Sequence, residues 1–431
     1  MRPIPTIKTP KILLVRPDAL GDVLLILPTV MALRQQWPES TIVVLGNDYT
    51  APLLEAHPAI DEVWLDPFEK GTSARGLLKF VKTLKAAHFD FVIHAFNEAP
   101  YVLSTWLARI PVRVGDSRKL LLSGFHTHRV RQDFDNPLMH EVDLDLQLLK
   151  PFNIALPTVG RFGWEGVEFP RPLSPLCVPY AVIHPGVGRG NRSIPSGIYQ
   201  GLIRCLSHQG MTTVLTGGQN ERTQNASIAA DDESILDMTG QTDLLQLAGL
   251  IQGATILISV DTGPMHLAAS LGTRVLNLSP SKYVKPTRWG PYGVHHRVIR
   301  PETICSYRCF PNGCKRGNCT DAFDPKIICQ QMEVLIKIPK DKELPAVDEV
   351  KKRWVQLSMP VLDLRRGLRP IEAEGYRYFQ RSNVSGFFWR WVVVQDIGFF
   401  LVDRRRFWHP LVEKILALWL YYPPRFVEKL P

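Results

Sequence analysis

Residues 11–36 read KILLVRPDALGDVLLILPTVMALRQQ, and this stretch decides the fold. The segment Lys11–Arg16 is short and almost continuously apolar, which is typical of a strand buried on both faces of a sheet. The amphipathic segment Asp22–Gln36 that follows predicts a helix. A buried strand that leads into a helix is the repeating unit of parallel sheets, so we expect an α/β protein.

The same alternation continues along the chain. In the first half it predicts further elements at Thr41–Leu45, Val63–Asp66, Gly76–Ala87 and Phe89–Ala95. In the second half it restarts and predicts elements at Tyr180–His184, Ser196–Gln209, Thr213–Thr216, Ile235–Thr239, Leu244–Gln252, Thr255–Val260, Pro264–Leu271 and Arg274–Leu278. The intervening stretch Arg118–Pro179 has weak periodicity and crowded prolines, and predicts an irregular linker that ends near Pro172–Pro179.

The expected architecture is two Rossmann-like parallel-sheet domains that face a cleft, followed by a C-terminal extension. We place the first domain at residues 1–172, the second at residues 173–339 and the extension at residues 340–431. In open parallel sheets ligands bind in the crevice outside the carboxyl ends of the strands. The motifs at those ends therefore decide the function.

The composition excludes several classes of protein. Of the 431 residues 45% are apolar, which excludes a disordered chain and is enough for a sizeable core. The candidate spanning stretch Gly386–Val402 is interrupted by Arg390 and Asp396, and the N-terminus lacks the apolar run of an export signal. We therefore expect a cytoplasmic protein. The net charge of +10 suggests an anionic partner: nucleic acid, a phosphorylated substrate or an anionic membrane.

The first strand-to-helix junction is Arg16–Val23. Its single glycine, Gly21, does not make the three-glycine fingerprint of dinucleotide-binding enzymes. The start of a helix nevertheless gathers anionic groups at its free N–H groups. Asp22 stands at this helix start and faces the expected cleft, where it is either a functional carboxylate or a plain N-cap.

The second junction, Ser259–His266, carries more information. Pro264 fits the first helical turn, where its missing N–H is not needed, and Asp261 or Thr262 can cap the helix. The free N–H groups of this turn, with His266 one turn in, are suited to hold a diphosphate. An ordinary capped helix with a hydrogen-bonded histidine explains the same residues.

Two further loops follow predicted strands of the second half. Gly186–Pro195 supplies glycines and two arginines, Arg189 and Arg192, and guanidinium groups bind phosphate in a bidentate manner. Thr216–Glu221 offers a carboxylate, Glu221, suited to a ribose diol. Each loop alone also fits a flexible surface turn, but their convergence at neighbouring strand ends favours a nucleotide site.

Three motifs carry a resemblance to a known family. They are Arg16-x4-Gly21-Asp22-Val23-Leu24, Gly217-Gly218-x2-Glu221 and Asp261-Thr262-Gly263-x2-His266-x2-Ala269. From about residue 11 to residue 331 the chain resembles the heptosyltransferases of glycosyltransferase family nine. The resemblance implies a GT-B fold with an acceptor-side first half and a nucleotide-sugar-binding second half. It also implies inverting, metal-independent transfer of heptose from an ADP-sugar to a lipopolysaccharide-core or related glycolipid acceptor.

The resemblance also implies roles for single residues. Asp22 is then the base on the acceptor hydroxyl. Donor-binding roles fall to Arg192 and the N–H groups of Thr262 and Gly263 for the diphosphate, to Asp261 and His266 for the sugar and phosphates, and to Glu221 for the ribose. Relatives usually carry Lys-x-Trp-Pro where this chain has the residues 192–195, which keeps a positive charge and loses an aromatic wall. A GT-B transferase for another nucleotide sugar and a non-catalytic nucleotide- or carbohydrate-binding module therefore stay open.

Four of the seven cysteines cluster at Cys305, Cys309, Cys314 and Cys319. Their spacing lacks the usual C-x2-C pair of zinc sites and fits neither common ferredoxin pattern. A structural zinc, an iron–sulfur cluster and free or loosely paired thiols remain open, and we expect no catalytic metal. The absence of zinc-finger spacing argues against nucleic acid as the partner. Without an export signal, we do not expect disulfides.

The extension Lys340–Pro431 differs from the rest in composition. It holds five of the ten tryptophans and 17 Lys/Arg against 11 Asp/Glu, a net charge of +6. Its aromatic run Phe387–Phe400 leads into Arg404–Arg406, and such an apolar face edged by arginine suits an anionic bilayer. This interpretation predicts a peripheral protein on the inner face of the plasma membrane. A small appended domain with its own core fits the same residues.

Overall fold

The computed structural model describes residues 3–136, 139–154, 156, 162–172, 179–187, 193–230, 232, 234–280, 286–300, 320–321, 323–339, 368–373, 376–381 and 392–393. The described residues form two lobes, each built on a six-stranded parallel sheet, and a separate small sheet. The predicted α/β architecture of two parallel sheets is confirmed.

The first lobe has the sheet order β3-β2-β1-β4-β5-β6. Its strands are β1 Lys11–Val15, β2 Thr41–Gly46, β3 Glu62–Leu65, β4 Phe91–His94, β5 Val112–Asp116 and β6 His128–Val130. Its helices are α1 Leu20–Leu25, α2 Leu27–Gln36, α3 Ala51–Glu55, α4 Ala74–Ala87, α5 Ala99–Leu107, α6 Leu120–Ser123 and α7 Glu141–Gln147, with a 3₁₀ turn at Lys150–Phe152. All adjacent strands run parallel.

The second lobe has the sheet order β12-β11-β10-β7-β8-β9. Its strands are β7 Tyr180–His184, β8 Thr212–Leu215, β9 Ile235–Asp237, β10 Ile256–Ser259, β11 Val275–Leu278 and β12 His296–Ile299. Its helices are α8 Ser196–His208, α9 Arg222–Ala229, α10 Leu244–Gly253, α11 Gly263–Ser270, α12 Pro286–Trp289 and α13 Pro325–Ile336, with a 3₁₀ turn at Gln219–Glu221. These strands are also parallel.

The apolar continuity of β1 follows from its place between two layers. Ile12 and Leu14 pack into one core cluster, and Leu13 and Val15 pack into another on the opposite face. Both faces of this strand are therefore covered by helices, as parallel sheets require. The arrangement fixes the carboxyl end of β1 rigidly, and the first candidate site motif begins there.

The two lobes belong to one compact unit and pack on each other directly. A Cβ added to Gly263 at the start of α11 would lie 2.9 Å from Leu20 at the start of α1. Apolar side chains of both lobes join in one core cluster. The starts of α1 and α11 are thereby held against each other.

A second compact unit contains an antiparallel three-stranded sheet. Its strands are β13 Leu368–Ala373, β14 Tyr376–Arg381 and β15 Val392–Val393. The aromatic run Phe387–Phe400 and the segment Arg404–Arg406 lie outside the described residues, apart from β15. The domain boundaries at residues 172 and 339 stay a prediction, because residues 173–178 and 340–367 also lie outside the described part.

Three expectations about the chain were wrong. The single helix expected over Asp22–Gln36 is divided at Ile26, because Pro28 stands in the first turn of α2 and lacks the N–H that would continue α1. The stretch expected to be an irregular linker after Arg118 contains α6, β6 and α7. The expectation that cysteines would not pair fails for α8 and α13, which a disulfide between Cys205 and Cys329 joins.

Across the part of the chain that the structure describes, no helix has both the length and the apolar character needed to span a bilayer.

Candidate active site

The first site motif is organised around a buried arginine. Arg16 follows β1 directly and is only 4% exposed. Its Nη2 donates to Oδ1 of Asp22 over 3.0 Å, and its Nη1 donates to the carbonyl oxygen of Ala95 over 3.1 Å. Asp22 lies in the first turn of α1 and keeps about a quarter of its side chain exposed. The arginine thus fixes a carboxylate that still reaches solvent.

Three more carboxylates surround the same guanidinium. Asp18 approaches Nε at 3.1 Å, and α7 contributes Glu141 at 3.7 Å and Asp145 at 3.6 Å. The two α7 residues are four apart, so they project from one face of that helix. Four carboxylates around one guanidinium leave an excess of negative charge in a mostly buried site.

This crowding changes how the carboxyl groups titrate. Burial raises the pKa of Asp22, the Arg16 guanidinium lowers it in part, and Glu141 raises it again. Burial raises the pKa of Asp18 to about 7, against the opposing effect of Arg16. Burial also raises the pKa of Asp145 well above its usual range. A carboxyl group with a raised pKa is a stronger base when ionised, which suits proton abstraction.

The second site motif follows β10. Oδ2 of Asp261 accepts a hydrogen bond from the Ser279 hydroxyl over 2.8 Å, and burial raises the Asp261 pKa to about 6. Thr262 is the N-cap of α11, but its N–H donates to the Val260 carbonyl over 2.8 Å. The expectation that this N–H faces the diphosphate therefore does not fit the observed hydrogen bonding. The helix itself begins with Gly263.

The two motifs meet across the boundary between the lobes. A Cβ placed on Gly21 would lie 2.8 Å from Cδ2 of His266. Only a glycine permits this approach, and it places the residue next to Asp22 against the α11 histidine. Burial lowers the pKa of His266 to about 3, with a further contribution from His140, so the imidazole is neutral at neutral pH.

The side chain of Glu221 contacts two loops of the second lobe. Its Oε2 accepts from the Gly218 N–H over 2.7 Å, and a Cβ on Gly186 would lie 2.0 Å from its Oε1. The loops after β7 and β8 are thus joined through this carboxylate. Tyr49 of the first lobe is close enough for Glu221 to raise its pKa, in addition to the effect of burial.

A set of contacts links α7 to the second lobe. Nε of Arg288 in α12 donates to Oε2 of Glu141 over 2.8 Å. Nε2 of His140 lies 3.0 Å from the Gly290 carbonyl oxygen. The imidazole of His140 also packs against Tyr292 in a tilted arrangement, at 4.7 Å between ring centroids. Arg288 brings a second positive charge to the carboxylates and lowers the pKa of Asp22.

Several residues of this cluster were missed by sequence reasoning, namely Asp18, Tyr49, Glu141, Asp145 and Arg288. Arg16 stood in a quoted motif without a role. The signal available for α7 was the spacing of Glu141 and Asp145, one helical turn apart. That signal was masked by the prolines on either side.

Other expected site residues lie outside the described part of the chain. They are Arg192 and the cysteines Cys305, Cys309, Cys314 and Cys319. Ile194 is described, and it is buried in the core of the second lobe. Position 194 therefore does not line the cleft in this structure. Among the described residues, no group of three or more His, Cys, Asp or Glu side chains is arranged to hold a metal ion.

The chain matches the model of one protein family, described as glycosyltransferase family 9 (heptosyltransferase), over residues 77–319. It is 26% identical over 280 residues to lipopolysaccharide heptosyltransferase 3 of Escherichia coli K12, covering 60% of this chain and 79% of that protein. It is 27% identical over 288 residues to lipooligosaccharide heptosyltransferase 2 of Haemophilus ducreyi, covering 61% and 80%.

Solved structures share the fold. Heptosyltransferase WaaC of E. coli, solved with ADP, superposes with a TM-score of 0.64 at 22% identity, over 75% of this chain and 99% of that one. A family 9 glycosyltransferase of Veillonella parvula gives a TM-score of 0.63 at 21% identity, over 76% and 97%. The predicted GT-B fold is thereby confirmed. Because the family model spans more than half of the 431 residues, this chain belongs to glycosyltransferase family 9 and is a glycosyltransferase.

Proposed function

We propose that this glycosyltransferase moves heptose from ADP-heptose to a lipopolysaccharide-core or related glycolipid acceptor, with inversion and without a catalytic metal. The proposal is supported by relatives that are named lipopolysaccharide and lipooligosaccharide heptosyltransferases. The observation that carries it is the position of Asp22. This carboxylate is fixed by Arg16, stays partly exposed and stands beside the turn that begins α11.

In the proposed reaction, Asp22 accepts the proton of the acceptor hydroxyl as its oxygen attacks the anomeric carbon of the donor. The bond from that carbon to the diphosphate breaks, and ADP leaves with the electron pair. Attack opposite the leaving group inverts the anomeric centre. The raised pKa of Asp22 strengthens it as a base, and the neighbouring Arg16 stabilises its ionised form.

The second lobe binds the donor in this scheme, and the first lobe binds the acceptor. Glu221 holds the ribose hydroxyls, and it is oriented for this by the Gly218 N–H. Asp261 and His266 contact the sugar and phosphates, and the start of α11 at Gly263 faces the diphosphate. We keep Arg192 as the cation for the leaving diphosphate on the basis of the family motif.

One departure from the family motif keeps a second candidate in view. Residues 192–195 read Arg-Ser-Ile-Pro in this chain, and Ile194 is buried in the core. A transferase for a different nucleotide sugar is therefore the alternative. A lipid-anchored acceptor would place either enzyme peripherally on the inner face of the plasma membrane.

The test compares Asp22→Asn with Asp18→Asn, which removes a carboxylate from the same cluster. We expect Asp22→Asn to lower kcat about a hundredfold to ten-thousandfold, whereas Asp18→Asn stays within about tenfold of the wild type. Both variants should bind ADP with unchanged Kd in calorimetry. Full transfer by Asp22→Asn would contradict the assignment of the base, and ADP binding without any transfer by the wild type would favour a binding module.

The donor is tested separately by thermal shift with ADP, UDP and GDP. A preference for ADP supports heptose transfer from ADP-heptose. Stabilisation by UDP or GDP alone would leave only the family and the fold standing. Activity that survives dialysis against a chelator is expected for a metal-independent enzyme, and its loss would contradict that part of the proposal.

A further inference from the structure

The first lobe exposes a group of large apolar side chains around α6. Leu120 and Leu121 are adjacent in this helix and are 74% and 73% exposed. Trp106 and Leu107, at the end of α5, are 44% and 38% exposed. The ring of Trp106 packs against Phe125 at 5.0 Å, which joins the end of α5 to the loop after α6. Clustered exposed apolar side chains, unlike scattered ones, mark interaction surfaces.

This apolar group is embedded in the most basic stretch of the first lobe. Residues 106–131 contain six Lys or Arg and one Asp or Glu, a net charge of +5 within 26 residues. Arg109, Arg129 and Arg131 have exposed side chains. Three acidic groups neutralise part of this charge. Asp116 pairs with Arg118, and Glu98 pairs with Lys119. Asp135 pairs with Arg131 at 4.0 Å, where both side chains are exposed to solvent. Glu98 and Asp135 lie outside residues 106–131, and counting them with that stretch leaves a net charge of +3, so the surface remains positive.

We name the side chains of Trp106, Leu107, Leu120 and Leu121, together with Arg109, Arg129 and Arg131, the α6 surface. Helix α6 follows the carboxyl end of β5, at the sheet edge of the candidate active site, whereas Trp106, Leu107 and Arg109 precede β5 and lie towards its amino end. The guanidinium of Arg118 lies 3.3 Å from the ring centre of Phe134, and that of Arg288 lies 4.5 Å from the same ring. Phe134 thus contacts both Arg118, two residues before α6, and the arginine that contacts Glu141.

We propose that the α6 surface docks on an anionic lipid bilayer, with Leu120 and Leu121 inserted among the acyl chains and the arginines at the headgroups. An apolar tip flanked by positive charge matches the two layers of such an interface, and tryptophan is favoured between them. A protein partner would not require the excess of positive charge. The docking stands on its own observations. Its purpose, presenting a membrane-anchored glycolipid to Asp22, rests on the proposed function.

The test measures binding of the full-length chain to vesicles by flotation. Vesicles of phosphatidylethanolamine with phosphatidylglycerol are compared with vesicles of phosphatidylcholine. We expect the wild type to bind the anionic vesicles and to dissociate at high salt. The double variant L120S/L121S should partition about tenfold less. The matched control I327S/V334S removes two side chains of α13 that are 51% and 49% exposed, and should bind as the wild type does.

A charge variant keeps the test valid if L120S/L121S fails to fold. R129Q/R131Q should bind several-fold less, with a weaker dependence on salt. Wild-type binding by both variants, or an equal loss in the α13 control, would overturn the proposal. So would a wild type that ignores vesicles and forms a dimer that L120S/L121S dissolves, because a second copy would then cover the surface. Vesicle binding uses no transfer chemistry, so its failure is distinct from failure of the proposed function.

Discussion

The turn that carries Asp22 and the turn that carries His266 are built alike but differ in charge. Each follows a buried parallel strand and opens a short helix, and the two lie against each other across the lobes. The first turn is crowded with carboxylates around Arg16, whereas burial in the second keeps His266 neutral with a pKa of about 3. The same place in the fold, a strand end that opens a helix, therefore carries a carboxylate cluster in one lobe and a neutral imidazole in the other.

The largest effect on this charge difference between the two turns is expected when Arg16 is replaced. In Arg16→Leu the four carboxylates lose the positive charge that compensates them. The free energy of unfolding should fall by about 3–5 kcal/mol. Arg16→Lys keeps the charge and should lose less. Urea denaturation of both variants measures the effect.

The loss in Arg16→Leu should depend on pH. The folded-state pKa values of Asp18, Asp22 and Asp145 are raised, so these groups are protonated in the fold before they are protonated in the unfolded chain. Raising the pH ionises these groups, Asp18 around its pKa of about 7, and ionisation increases the penalty for lacking Arg16. The destabilisation should be smaller at about pH 5 than at about pH 8. An equal loss at both would contradict the electrostatic account.

A smaller change moves the two turns apart. In Gly21→Ala the new methyl group collides with His266, and we expect about 1–3 kcal/mol of lost stability together with a lower kcat/KM. Gly197→Ala is the matched control, since a Cβ there meets no atom within 4 Å. That helical position should gain up to about 1 kcal/mol. Equal effects at both glycines would show that the contact between the turns is unimportant.

The smallest effect is expected at Glu221, the carboxylate that we propose holds the ribose. Glu221→Gln should raise the Kd for ADP about fivefold to tenfold, because a charged hydrogen-bond acceptor is lost. Gly186→Ala should act similarly by displacing the Glu221 side chain, with Gly197→Ala again as the control. Calorimetry with ADP measures both. Unchanged affinity in both variants would remove Glu221 from the donor site.

The sequence was sufficient for most strands of the two parallel sheets, but it did not predict β5, β6 and β12, and it was insufficient for α7. Strands such as β1 are apolar on both faces, so a short continuous run of apolar residues in the sequence is enough to predict them. Helix α7 buries Glu141 and Asp145 against Arg16, a partner more than a hundred residues away, and charged residues in a core give no apolar periodicity. The disulfide between Cys205 and Cys329 was unpredictable for the same reason, since 124 residues separate the two positions.

The sequence also predicted only part of the candidate site. Asp22, Glu221 and His266 stand at strand ends, where a motif and its place in a parallel fold predict a location. The charges that tune Asp22 come from α7 and α12, and only the folded chain brings them there. The sequence therefore predicted the position of Asp22 better than its environment.

The central claim is that Asp22 acts as the base under the influence of Glu141 and Arg288. The most direct measurement is the pH dependence of kcat/KM for Glu141→Gln and Arg288→Gln. Both variants break the same salt bridge, but Glu141 raises the pKa of Asp22 and Arg288 lowers it. Activity falls at acid pH as the base is protonated, so Glu141→Gln should move this limb to lower pH and Arg288→Gln to higher pH. Shifts in the same direction, or none, would contradict the account.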